Sequence, residues 1–175
     1  QLSQELHIGP YPCTYYYGFT NDKPPTDNPL VRRALSAAID RQSLIDNVLK
    51  GGQYPANSFT TLGTFGTVGG DPDVAGWALD YEVGLEQAKA WLTEAGYPDG
   101  QGFPELILMY NTSESHQKIA EAIAAMWTDA LGITVRIENQ EWAVFLDTIN
   151  KNTPVEEMPH VWRMGWCSDY PDANN

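Results

Sequence analysis

The 175-residue chain carries ten basic and 23 acidic residues, which gives a net charge of −13 with neutral histidines. No basic cluster interrupts this negative surplus, so the chain is not expected to bind nucleic acid or an anionic membrane surface. A chain of this length can bury about 70% of the surface that its unfolded form exposes, which is enough for one domain to fold without a stabilising cross-link or metal. We therefore expect a single acidic domain, and we expect it to be a monomer.

The apolar runs of the sequence are much shorter than the roughly 20 residues needed to cross a bilayer, so direct membrane insertion is not expected. The residues from Gln1 onward lack the basic start and the apolar stretch of a signal peptide. These two features predict a soluble piece of protein that has already been trimmed.

The first half of the chain predicts one strand followed by a pair of helices. Residues 11–20 are rich in aromatic and β-branched residues and precede a turn-forming segment, which indicates a strand and then a loop. Asn28 can cap a helix that has Pro29 in its first position. Asp40 can cap a second helix that stops at the glycine pair 51–52. The inner face of this second helix is expected to contain Leu44, Ile45, Val48 and Leu49.

The second half predicts helices that alternate with strands, because helical spacing of apolar residues alternates with short apolar or alternating runs. In chain order the elements are a long surface loop at 58–80, a helix from Asp80 to Gly96, a strand at 105–111, a helix from Ser113 or Ser115 to Gly132, a strand at 133–138, a helix at 141–150 and a strand at 160–166. The helix at 141–150 should turn inward Trp142, Phe145, Leu146 and Ile149. Strands separated by helices predict a layered α/β domain, whereas the order of strands in the sheet does not follow from this pattern.

The two cysteines, Cys13 and Cys167, lie in the first and last predicted strands, and no zinc-binding motif accompanies them. Three interpretations remain open on residue types alone. The cysteines form a disulfide in an oxidising compartment, or Cys167 is a nucleophile with His160 or His116 as base and Asp169 as orienting group, or both are ordinary buried apolar residues. His160 and Cys167 are seven residues apart, which is about 20 Å or more in an extended strand.

The last strand and its exit place opposite charges close together in the sequence. Because alternate residues of a strand share a face, Arg163, Gly165 and Cys167 should point away from the face of Trp162, Met164 and Trp166. One interpretation is structural: the tryptophans are core, while Arg163 and Asp169 are solvated or pair with each other. The other is functional: Gly165 leaves room for a ligand, and the two charges anchor a zwitterion such as a free peptide or amino acid.

Three segments of the chain together resemble the ligand-closing lobe of the oligopeptide-binding and dipeptide-binding proteins of bacterial ABC importers. They read CTYYYGFTNDKPPTDNPLVRRALSAAIDRQSLIDNVLKGGQYPANSFT, AKAWLTEAGYPDGQGFPELILMYNTSESHQKIAEAIAAMWTDALGITVRIENQEWAVFLDT and RMGWCSDYPDANN. The resemblance implies a lobe of the type II periplasmic-binding-protein fold, with a mixed sheet flanked by helices. It also implies that residues 1–175 are one α/β lobe, a truncated fragment of a larger two-lobed protein.

Residue by residue, the resemblance implies a peptide site without catalytic residues. Asp169 would receive the α-ammonium of the peptide, Trp166 and Cys167 would line the pocket beside it, and Arg163 would be available to a peptide carboxylate. The resemblance also implies that Cys13 and Cys167 form a disulfide.

At the level of function, the resemblance implies a non-catalytic binding component of an ABC importer, located in the periplasm or extracellularly at the membrane. Its partners would be a peptide, most consistent with an oligopeptide, and the permease subunits, and it would need no cofactor or metal. Alternatives within the family are a dipeptide, a nickel complex or a sugar as ligand. A cysteine hydrolase that uses Cys167, and a domain that binds a partner without any peptide, are the interpretations from other classes.

Overall fold

The computed structural model describes residues 11–71, 73–170 and 172–173. Its strands are β1 (Cys13–Phe19), β2 (Leu106–Asn111), β3 (Val135–Gln140) and β4 (Val161–Cys167). Its main helices are α1 (Pro29–Ala37), α2 (Arg41–Ser43, continued by a π-helix at Leu44–Leu49), α3 (Tyr81–Glu94), α4 (Glu114–Leu131) and α5 (Trp142–Thr148). Among these helices, none has both the length and the apolar character needed to span a membrane.

The four strands form one mixed sheet in the order β1-β4-β2-β3. Strand β1 runs antiparallel to β4, whereas β2 runs parallel to both β4 and β3. The parallel pair β2 and β3 is joined through α4, which is the crossover connection that parallel strands require. The prediction of a layered α/β fold with a mixed sheet and flanking helices is confirmed.

The main core lies between one face of the sheet and helices α1, α3 and α4. Its largest fully buried side chains include Leu35, Leu92, Leu106, Leu108, Ile123 and Trp127. The indole N–H of Trp127 donates to the backbone oxygen of Leu35 over 2.7 Å, which ties α4 to α1 without leaving a buried donor unpaired. Phe145 of α5 is fully buried outside this cluster, and α5 contacts β2 and β3, so α5 covers the opposite face of the sheet.

The start and stop signals read from the sequence hold at most helices. The Asn28 side chain accepts the Leu30 N–H at 2.9 Å, with Pro29 in the first helical position. The Asp40 side chain accepts the Ser43 N–H at 2.9 Å. Gly132 ends α4 in the left-handed conformation, where a glycine has no side chain to clash.

Two helices differ from the prediction. The second helix widens into a π-helix and ends at Lys50, which has φ 54° and donates its N–H to the Ile45 oxygen, so the stop comes before the glycine pair 51–52. Leu49, expected inside, is 38% exposed because of this widened last turn. In α5, Trp142 and Leu146 were also expected inside and are exposed, because the short helix presents only Phe145 fully to the sheet.

A half-buried arginine, Arg41, spans the bend between α1 and α2. The Arg41 guanidinium donates to the backbone oxygens of Ser36 and Ile39, at 3.1 and 3.2 Å, just beyond the last turn of α1. Burial lowers the pKa of Arg41 to about 10. A cation at the carboxyl end of a helix is favourable because it complements both the unpaired carbonyls and the helix dipole.

His160, just before β4, should make the stability of the folded chain depend on pH. It is 7% exposed, and its Nδ1 accepts the Ile107 N–H at 2.9 Å, so the ring is held neutral. Burial, followed by the charge of Lys23, lowers its pKa in the folded state, whereas the unfolded chain should titrate near a pKa of about 6.5. The unfolded chain therefore binds more protons, and the free energy of unfolding should fall as the pH drops below about 6.5, by up to about 1.4 kcal/mol per pH unit.

Urea unfolding at several pH values checks this prediction when the native chain is compared with His160→Asn. Asparagine keeps an acceptor near the position of Nδ1 and does not titrate, so the pH dependence between about 6.5 and 5 should become shallower in the variant. Parallel curves for the two proteins would show that His160 is not responsible.

Candidate peptide-binding site

The antiparallel pair β1 and β4 forms the frame of the candidate site. Its register places Cys13 opposite Cys167, Tyr15 opposite Gly165 and Tyr17 opposite Arg163. These six residues share one face of the strand pair. The predicted alternation along β4 is confirmed, because Met164 and Trp166 pair with residues of the other face.

The two cysteines form a disulfide across this strand pair. Their Cα atoms are 4.0 Å apart and their separation in sequence is 154 residues. The bond joins the first and last strands at the end of β4 that leads to Asp169. Because the Cys167 sulfur is bonded to Cys13, it is not a free thiol in this structure.

Arg163 lies between an aromatic ring and an amide. Its guanidinium carbon is 4.5 Å from the centroid of the Tyr15 ring, a cation–π contact, and its Nη1 donates to Asn111 Oδ1 at 3.1 Å. Its Nε is buried and has no hydrogen-bond partner within the described part of the chain. The guanidinium is thus positioned by its neighbours while part of its donor capacity is unused.

Gly165 leaves the space that this guanidinium occupies. A Cβ atom at this position would lie 3.3 Å from Arg163 Nη2 and 3.7 Å from the Thr14 oxygen. A larger residue would push the Arg163 side chain away. Gly165 was expected to leave room for a ligand, whereas in this structure the space beside it holds the Arg163 guanidinium.

His116, in the first turn of α4, faces Tyr15 from the side of the helix layer. The Tyr15 hydroxyl and His116 Nδ1 are 3.3 Å apart, and the ring centroids are 5.6 Å apart. Burial and the positive charge of Arg163 both lower the pKa of His116, so the imidazole is neutral at neutral pH. Desolvation raises the pKa of Tyr15.

Tyr17 is the second tyrosine of this face. Its hydroxyl is buried, and its hydrogen-bonding neighbour is Tyr15, although the two hydroxyls do not form a hydrogen bond of good geometry. Burial raises its pKa, so the hydroxyl stays protonated and can donate. Buried polar groups are nearly always paired in folded proteins, so Arg163 Nε is a position where a water molecule can complete the network.

The remaining predicted site residues follow at the exit of β4. Trp166 is 46% exposed and lies on the face opposite Arg163, and Asp169 is exposed two residues after the strand ends. The exit is held to the segment before β1 by the Ser168 N–H, which donates to the Pro12 oxygen at 2.8 Å. The structure thus brings Cys167 and Arg163 onto one face of the strand pair and leaves Trp166 on the other, with Asp169 two residues beyond the end of β4.

Sequence reasoning missed three contributors to this network: Tyr15, Tyr17 and Asn111. It considered His116 only as the base of a hydrolase. The signal that was available is the run of three tyrosines at 15–17, whose alternation in a strand puts the first and third on one face. The positions of Asn111 and His116 depend on how β2 and α4 pack.

The hydrolase interpretation finds little support in this geometry. His160 precedes β4 and Cys167 ends it, so the full strand separates them, and His160 Nδ1 is already used by the Ile107 N–H. His116 Nδ1 faces Tyr15. Within the described residues, no group of three or more histidine, cysteine or acidic side chains is arranged to hold a metal ion.

Known proteins are similar to this chain in both sequence and fold. The chain is 39% identical to the periplasmic oligopeptide-binding protein OppA of Escherichia coli K12 over 175 residues, which cover 100% of this chain and 31% of that protein. The structure of the Escherichia coli murein tripeptide binding protein MppA matches with a TM-score of 0.80 and 41% identity, over 93% of this chain and 30% of that one. Haemophilus influenzae OppA in complex with the peptide RPPGFSPFR matches with a TM-score of 0.77 and 31% identity, over 94% of this chain and 31% of that one.

These matches confirm the fold class as similar to the type II periplasmic-binding-protein fold, with a mixed sheet and flanking helices. The chain belongs to the family described as "Bacterial extracellular solute-binding proteins, family 5 Middle", whose model matches residues 1–175. The chain spans about a third of the length of the curated relatives that it matches.

Proposed function

We propose that residues 1–175 form one lobe of a two-lobed peptide-binding protein that delivers oligopeptides to an ABC importer. The observation that carries this proposal is the position of Arg163 on the strand that leads to Asp169. The Arg163 guanidinium donates to Asn111 through Nη1, while its Nε has no partner among the described residues. Arg163 is a positive group on β4 and Asp169 is a negative group just after this strand, and such a pair suits a ligand with an ammonium at one end and a carboxylate at the other. The relatives named oligopeptide-binding and murein tripeptide binding proteins support a peptide as that ligand.

In this proposal each site residue has a distinct role. Asp169 receives the α-ammonium of the peptide, Trp166 and Cys167 line the pocket beside it, and Arg163 is the anchor for a peptide carboxylate. Tyr15 positions Arg163 by stacking, and the neutral His116 contacts Tyr15. Main-chain groups of extended peptides pair with main-chain groups of the protein, which makes binding tolerant of side chains.

The protein performs no chemistry in this account. Closure of two lobes on the peptide creates the conformation that the permease subunits recognise, with hinges where the chain crosses between lobes. The disulfide and the periplasmic relatives support a location outside the cytoplasm, free or attached at the membrane surface. The protein acts as a monomer without metal or cofactor.

Titration of one peptide into two proteins tests this proposal. Trialanine, which has both charges and minimal side chains, should bind the chain of residues 1–175 with a dissociation constant of about 1 mM or weaker, because one lobe supplies half of the contacts. The full-length protein should bind it at least about 1000-fold more tightly. Tight binding by the single lobe would contradict the two-lobed account, and no binding of any peptide by the full-length protein would contradict the peptide assignment.

A further inference from the structure

Residues 54–70, called here the aromatic loop, carry their large apolar side chains on the outside. Phe65 is 82% exposed, Phe59 54% and Val68 50%. Tyr54 and Leu62 are exposed as well. Single exposed apolar residues are ordinary, but several within one short loop are unusual for a surface that stays in water, and they mark an interaction site.

The interior of the aromatic loop is polar, which is the inverse of the usual pattern. The Thr67 hydroxyl donates to the Thr60 oxygen at 3.0 Å, and the Thr61 and Thr64 hydroxyls lie 2.9 Å apart, with Thr64 buried. Asn57 closes the base of the loop, because it accepts the Gly70 N–H at 2.9 Å and donates to the Val74 oxygen at 2.7 Å. These internal hydrogen bonds fix the conformation of the loop, and in this conformation the apolar side chains point outward.

Two sets of contacts attach the aromatic loop to the segments that frame the candidate peptide site, the first of them on the face of β1 opposite Arg163. The Thr14 hydroxyl donates to the Phe59 oxygen at 2.6 Å, and the Phe59 ring packs edge-on against Tyr16 at 5.2 Å. Farther along, Phe65 forms a parallel bridge with Asp172, whose segment follows Asp169. The exposed apolar surface is thus continuous with the two segments, β1 and the exit of β4, that frame the site.

We propose that the aromatic loop is the surface against which the second lobe of the full-length protein closes when ligand is bound. This inference rests on the proposed function. The occupant follows from the length of the relatives, because about two thirds of each lies outside the region that this chain matches, and from the continuity of the loop with the segments that frame the site. The opposing surface of the second lobe should be apolar where it meets Phe65 and Val68.

Such a contact would set the balance between the open and closed forms. Apolar area that is buried only in the closed form stabilises that form, and apparent ligand affinity is proportional to the fraction of protein that can close. The aromatic loop would therefore raise affinity for every ligand alike, without contacting the ligand, and would act mainly by slowing release.

The test uses the full-length protein and the double variant Phe65→Ser with Val68→Ser. Trialanine binding should weaken about tenfold or more, mostly through faster dissociation, because two apolar side chains lose their contact. The matched control is Val144→Ser on α5, which is exposed to a similar degree as Val68 and should change affinity less than about twofold. Hydroxyl-radical footprinting should show that Phe65 is protected when trialanine is added.

Other results would either overturn the proposal about the loop or show that it and the proposed function stand or fall separately. Unchanged affinity in the double variant, or equal Phe65 reactivity with and without a bound peptide, would overturn it. If the full-length protein binds no peptide, the proposed function fails, and the inference about the loop is then tested separately. Footprinting compares Phe65 in the full-length protein with Phe65 in the chain of residues 1–175. Protection of Phe65 in the longer protein supports the inference, and equal reactivity overturns it. Protection that grows with protein concentration would identify a second copy as the occupant and would also overturn it.

Discussion

Replacing Asp169 by asparagine in the full-length protein is expected to weaken trialanine binding by about 2–5 kcal/mol, which is at least about 30-fold. The amide keeps the shape of the side chain but removes the negative charge that the peptide ammonium requires. The remaining ammonium would be taken out of water without a partner, and this desolvation accounts for much of the loss. Calorimetric titration of the native and Asp169→Asn proteins measures the effect.

Asp129→Asn provides the matched control for this prediction, because Asp129 is an exposed carboxylate near the end of α4 that is remote in sequence from the strand exit. Its replacement should change affinity by less than about threefold, since the proposed role belongs to Asp169 alone. Equal losses in the two variants would indicate a general effect of negative charge on ligand attraction. An unchanged affinity in Asp169→Asn would remove Asp169 from the site.

The second large effect is expected from the disulfide. Replacing Cys13 and Cys167 together by serine should lower the free energy of unfolding by about 2–5 kcal/mol, because the bond restricts a loop of 154 residues in the unfolded chain. The chain-entropy treatment gives about 5 kcal/mol for a loop of this length, and measured losses are often smaller. Urea unfolding of the oxidised native chain and the double variant measures the difference.

A reduced sample of the native chain provides a second test of the disulfide, because reduction breaks the same bond without changing the sequence. Reduction should lower the stability of the native chain to near that of the variant and should leave the variant itself unchanged. If reduction has no effect on the native chain, or if mass analysis after alkylation finds two free thiols in protein made under oxidising conditions, then Cys13 and Cys167 are not bonded in solution.

Local features of the fold were readable from the sequence because their causes are local. The Asn28 and Asp40 caps and the stop at Gly132 depend on residues within one turn of the helix end, and each occurs as predicted. The exposed side chains of Trp142 and Leu49 were missed for the opposite reason. Apolar spacing predicts which face of a helix is apolar, but the neighbouring elements decide how much of that face is covered.

The candidate site was predictable in part, for the same physical reason. Arg163 and Asp169 lie six residues apart along the chain, so their opposite charges stand out in the sequence itself. The surroundings of Arg163 come from β1, β2 and α4, and no sequence pattern indicates that Asn111 or His116 would approach it. The pairing of Cys13 with Cys167 likewise depends on β1 lying beside β4, which the resemblance to a family implied and residue spacing alone did not.

The central claim is that this lobe holds the charged amino terminus of a peptide through Asp169, and one titration series tests it most directly. Trialanine and N-acetyl-trialanine are titrated into the full-length native protein and into Asp169→Asn. Acetylation should cost the native protein at least about 30-fold in affinity and cost the variant almost nothing, because the ammonium and the carboxylate act as a pair. If acetylation weakens both proteins equally, or neither, then Asp169 does not bind the peptide ammonium and this account of the site is wrong.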